Sequence, residues 1–171
     1  MERFSTRSRL RAFMLVGALG ATLALPIAAD ADTAPGSTGV ASVTIAPDAT
    51  ILGKVVATLD VSFTCDPFTV YDYGTGQYVQ STQGSLEYAN ATLSQASGRT
   101  VASGSESVIP DGPLVCDGLT SNHATSTITA TTLPWKKGTA VATVRIFIAS
   151  TDFQSSDQGQ AGPLVVKLAA K

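Results

Sequence analysis

Residues 55–65 read VVATLDVSFTC. Val55, Ala57, Leu59, Val61, Phe63 and Cys65 fall on one face, and Val56, Thr58, Asp60, Ser62 and Thr64 on the other. Eleven residues of unbroken period two predict an antiparallel strand with one face in a core. Residues 139–148 (TAVATVRIFI) repeat the pattern, with Ala140, Ala142, Val144, Ile146 and Ile148 on the apolar side. A turn-rich corner from Leu133 to Gly138 leads into this second strand, and its Trp135 is expected to be buried.

Outward from these two segments the signals are shorter. Residues 40–46 precede the first strand, followed by a turn at Pro47-Asp48. Weaker strands are expected at 68–73, 77–80, 85–94, 100–108, 114–116, 124–130 and 164–168. Gly74-Thr75-Gly76, Ser97-Gly98, Pro110 to Pro113 and Gly159 to Pro163 read as the turns between them. Short strands at regular spacing with such punctuation predict an all-β, antiparallel sandwich or barrel.

The first thirty residues differ in kind. Arg3, Arg7, Arg9 and Arg11 form a basic region, residues 12–25 (AFMLVGALGATLAL) an apolar run, and small residues follow Pro26. This layout predicts a signal peptide over residues 1–29, helical in its apolar part, with cleavage after Ala29 or Ala31. Residues 30–39 (DADTAPGSTG) read as a flexible leader, and 40–171 as the folded domain. The run is too short for a membrane anchor, and no later run is long enough for a span. The protein is therefore expected to be secreted.

The full chain of 171 residues has a formal charge of −2 and is 44% hydrophobic and 14% charged. Beyond residue 29 there are seven basic and twelve acidic residues, a net of −5. Without a dense basic face, nucleic acid is not an expected partner.

Cys65 and Cys116 are the only cysteines. In an exported chain a pair is most simply one disulfide. The alternative is a nucleophilic Cys116 activated by His123, although no cation stands beside it in sequence to lower its pKa.

The order from Cys65 onward carries a resemblance. An alternating strand ends in Cys65; Val115-Cys116-Asp117-Gly118 follows, then His123, Pro134, and a strand opening at Gly138 and Ala140. This is similar to small secreted proteins of high-GC Gram-positive bacteria (actinobacteria), a family of unknown function. The resemblance covers about residues 40–148. It implies an immunoglobulin-like sandwich, a Cys65–Cys116 disulfide and no assigned activity. Residues 71–78 (YDYGTGQY) depart from that pattern.

Few parts for catalysis are present. His123 is the only histidine, and no G-x-S-x-G elbow occurs. One histidine and a committed cysteine pair cannot supply a zinc tetrad, and 152–157 (DFQSSD) does not match a calcium loop. Glu87 and Glu106, the two glutamates beyond the leader, are expected on strands facing solvent rather than as a glycosidase pair. No cofactor is expected, and the chain is read as not an enzyme.

The remaining signal is aromatic. All four tyrosines lie between Tyr71 and Tyr88. Tyr71 and Tyr73 share a strand face, and the Gly74-Thr75-Gly76 turn brings Tyr78 back towards them. Tyrosine combines apolar area, a hydroxyl and a low entropy cost, which suits contact with protein or carbohydrate. Tyr71, Tyr73 and Tyr78 are the candidate binding residues of a non-catalytic interaction module, with a cell-surface protein or carbohydrate as partner. A structural or accessory protein with its tyrosines buried is the second reading, and a small hydrolase using His123 the third.

Overall fold

The computed structural model describes residues 42–171, and every regular element in that range is a β-strand. The expected signal peptide, its helix and cleavage points, the leader, and the first residues of the domain lie outside the described residues.

The chain runs β1 (Ser42–Ile45), β2 (Asp48–Leu52), β3 (Val56–Thr64), β4 (Phe68–Asp72), β5 (Gln77–Ser81) and β6 (Gln83–Ser97). It continues through β7 (Thr100–Pro110), β8 (Leu114–Val115), β9 (Asn122–Thr129), β10 (Gly138–Ser150) and β11 (Ser156–Ala170). Seven strands form one closed ring, β3-β2-β11-β10-β6-β7-β9 and back to β3. β1 shares the β3 edge with β2, β8 pairs with β6, and β4 and β5 form a separate two-stranded ribbon.

The expected strand at 55–65 is β3, with Ala57, Leu59, Val61 and Phe63 buried. Val55 is not in the core. It is 49% exposed, because the Gly53-Lys54 turn still governs the chain there. The strand at 139–148 is the middle of β10, and Ala140, Ala142, Val144, Ile146 and Ile148 are all buried. Ala57, Ala91, Ala124 and Ala142 alternate with larger residues such as Leu59, Leu93, Ile128 and Ile146, filling the barrel interior. Trp135 is 1% exposed, and its indole N–H donates to the Ile128 carbonyl at 3.3 Å.

Three features depart from the sequence expectation. Pro47-Asp48 does not reverse the chain. It kinks the chain between β1 and β2, so that β1 pairs with the second half of β3 and β2 with the first. β2 also pairs in parallel with β11, an exception in an otherwise antiparallel sheet. Gly159–Pro163 is not a turn but lies within β11. Ala142 pairs with Leu164 and Val144 with Ala161, leaving Gly162 and Pro163 bulged opposite Thr143. Gly162 has φ +94°, and a Cβ there would strike the Ala142 carbonyl oxygen.

The third departure is the closure itself. The strand spacing predicts a sandwich or barrel and the resemblance implies an immunoglobulin-like sandwich; the sheet closes instead as a barrel, since β7 pairs with β6 through Thr100–Ser107 and with β9 through its last three residues. Gly104 permits the close approach: a Cβ there would meet the Thr129 carbonyl oxygen and lie 2.7 Å from Ile128 Cγ2.

Cys65 and Cys116 form a buried disulfide, with Cα atoms 4.5 Å apart. It joins the chain just after β3 to the chain just after β8. Both thiols are consumed, which removes the Cys116–His123 nucleophile. Such bonds form and persist in oxidising surroundings. No helix among the described residues is long and apolar enough to cross a membrane.

Candidate functional site

The β4–β5 ribbon has two characters. Phe68 and Val70 point into the core and are buried. On the other side, β4 and β5 register Tyr71 directly opposite Tyr78. The Tyr71 ring lies 5.1 Å from that of Tyr73 and 5.2 Å from that of Tyr78, both edge-to-face. All three predicted residues therefore meet, with Tyr71 half-buried at the centre. Tyr73 is 83% exposed and Tyr78 74%. Edge-to-face pairs at this spacing are favourable arrangements for aromatic quadrupoles. The fourth tyrosine, Tyr88, stands apart on β6 opposite Phe147.

The turn that brings the rings together is built by Asp72. Its Oδ1 accepts from Gly74 N–H and its Oδ2 from the Thr75 hydroxyl, each at 2.8 Å. The Thr75 hydroxyl, followed by the Gly74 amide, holds the Asp72 carboxyl below the ordinary carboxylate range.

A second segment, distant in sequence, completes the site. The β10–β11 turn places Gln154 beside β4. Tyr71 N–H donates to Gln154 Oε1 at 2.7 Å, and Gln154 Nε2 donates to the Tyr71 carbonyl at 2.9 Å. Gln154 is itself held by Asp152, whose Oδ2 accepts from Gln154 Nε2 at 2.8 Å. Asp152 Oδ1 accepts from the Ser150 hydroxyl at 2.6 Å. That hydroxyl is the main reason the Asp152 carboxyl is also held low. The 152–157 segment thus works as a scaffold for the ribbon. Among the described residues no group of three or more His, Cys, Asp or Glu side chains is placed to hold a metal ion.

Between the two segments lies a groove of about 500 Å³, lined by Val70, Tyr71, Tyr73, Asp72, Asp152 and Gln154. Its walls combine aromatic faces with two carboxylates held below the ordinary carboxylate range. This set can stack on a flat apolar ligand face, accept hydrogen bonds from hydroxyls and attract cations. Asp72 and Gln154 were not picked from sequence. The Asp72-x-Gly74-Thr75 spacing is a local turn signal that points to the first; nothing local points to the second.

His123 lies on β9 and does not line the groove. The β3–β9 register pairs it with Ser62, with Nδ1 3.1 Å from the serine hydroxyl. His123 is exposed on the outer face of the barrel, and Ser62 is the only hydrogen-bond partner of its ring among the described residues. No acid orients the ring there, as a triad would require. Glu87 and Glu106 are exposed on β6 and β7.

No protein-family model matches the chain, and no curated protein or solved structure matches it.

Proposed function

We propose that this protein is a secreted, non-catalytic binding module that holds a cell-surface protein or carbohydrate on its tyrosine ribbon. The convergence of Tyr71, Tyr73 and Tyr78 beside a groove with two ionised carboxylates carries this reading. The exposure of Tyr73 and Tyr78 counts against the purely structural alternative, in which those rings would be buried. The buried disulfide and the basic-then-apolar N-terminal sequence support export.

The immunoglobulin-like part of the proposal rests on strand order. β1-β3-β9-β7 and β6-β10-β11 follow the two-sheet order of a constant-type immunoglobulin domain. The β7–β6 and β2–β11 pairings then join the sheets into the ring. The disulfide departs from that plan, since it does not link β3 to β10. Kinship with the small secreted proteins of high-GC Gram-positive bacteria is proposed on the same strand order and on the cysteine and His123 positions.

The test is binding of the secreted protein to intact cell surfaces and to arrays of glycans and surface proteins. Replacing Tyr71, Tyr73 and Tyr78 together by alanine should lower affinity at least tenfold while near-UV circular dichroism of the core is retained. Undiminished binding by a folded triple variant would place the site elsewhere.

A further inference from the structure

A second concavity lies where the β2–β3 turn, the Trp135 corner and the end of β11 meet. It encloses about 630 Å³. Ile51, Pro134, Trp135 and Ala170 make its apolar lining. Among the described residues its charged lining is Lys54, Lys136, Lys137 and Lys171, with no acidic side chain. These are four of the seven basic residues beyond residue 29, in a segment of net charge −5.

The site is held in shape by main-chain bonds. Trp135 N–H donates to the Lys54 carbonyl at 2.7 Å, and Ala130 N–H to the Val55 carbonyl at 2.7 Å. Lys171 N–H reaches the Ile51 carbonyl at 3.3 Å. Lys54 itself sits at φ +65°, a backbone conformation that side-chain-bearing residues rarely adopt. A glycine or asparagine would fit this turn with less strain, and the chain places a lysine at the cavity mouth instead. Lys136 Nζ donates to the Ser97 hydroxyl at 2.9 Å, whereas Lys54, Lys137 and Lys171 have no side-chain hydrogen bond among the described residues.

An apolar recess with a cationic mouth matches a ligand with one apolar part and one anionic head. We propose that this cavity binds a monomeric alkyl carboxylate, with the chain against Ile51, Pro134 and Ala170 and the carboxylate among Lys54, Lys137 and Lys171. Its volume lies within the range of small-molecule pockets, roughly 300–1,000 Å³. The site is separate from the tyrosine ribbon and does not depend on the function proposed for it.

Dodecanoate is the probe, titrated below its micellar concentration into the folded protein. Heat is read by calorimetry and emission from Trp135, the single tryptophan of the chain. Saturable one-site binding is expected, weakening as salt is raised. Dodecanol should bind at least tenfold more weakly. The Lys137→Glu/Lys171→Glu variant should lose at least tenfold in affinity with unchanged near-UV circular dichroism. Absence of saturable binding to the unmodified protein would overturn the proposal, as would equal affinity for dodecanol. Association with anionic phospholipid vesicles without any response to dodecanoate would equally overturn it, assigning the lysines to a membrane surface.

Discussion

Three side-chain amides act alike at three places in this molecule. Each satisfies both the N–H and the carbonyl of one distant residue: Gln154 for Tyr71, Gln95 for Lys136 and Asn122 for Val115. Gln95 and Asn122 are buried, so the backbone groups they hold would otherwise be costly to desolvate. Carboxylates play the matching part in the turns. Asp72 and Asp152 are joined by Asp117, which accepts from Thr120 N–H at 2.6 Å and from the Thr120 hydroxyl at 2.7 Å. Those bonds, led by the Thr120 amide, hold its carboxyl low as well. Carboxyl resonances of all three should titrate below the ordinary aspartate value of about 3.9. A folded-state pKa below the unfolded one means that the unfolded chain binds more protons. The three turns therefore contribute stability above the unfolded value and lose it as pH falls through the folded one. The thermal midpoint should drop on acidification below about pH 4, less steeply when all three are asparagine. Ordinary titration of all three would contradict this account.

At the scale of elements, the strands that carry the core were legible because alternation is a local signal. Inward faces such as Ala57-Leu59-Val61-Phe63 follow from period two alone. β2 was hidden because Pro47 reads as a breaker, although a kink lets the chain pass from one neighbour to the next. The early half of β11 was hidden because Gly159–Pro163 has turn composition, while its partner β10 absorbs Gly162 and Pro163 as a bulge. Half of the candidate site was readable from Tyr71, Tyr73, Tyr78 and the intervening turn. Gln154 was not, since it reaches Tyr71 across 83 positions and only the folded topology joins them. Gly104 is the sharpest test at this level. Gly104→Val would press a branched side chain against the β9 backbone. Overpacking of this kind costs typically about 1–3 kcal/mol, to be read as a lower urea midpoint at unchanged m-value. An unchanged midpoint would show that β7 does not need this approach to β9.

For the whole molecule, the disulfide and the ring are separate sources of cohesion. Cys65 and Cys116 are 51 positions apart, and a loop of that length gives about 4 kcal/mol of stabilisation in the chain-entropy model. The Cys65→Ala/Cys116→Ala variant should thus lose roughly 2–5 kcal/mol in denaturant unfolding. A loss well under 1 kcal/mol would show the closed sheet to be sufficient alone. The ring has a further effect on how neighbouring copies meet. A sheet with two open sides offers rows of unpaired amides and carbonyls on which another chain can build a fibril. Here β7 and β2 close that template. The short β1 and the polar β5 (QYVQS) are strands left to the periphery, and the glutamine clamp covers Tyr71 on β4. Among the described residues, which are mostly β-strand, the ring thus leaves only short strand edges on which the backbone of a second copy could build.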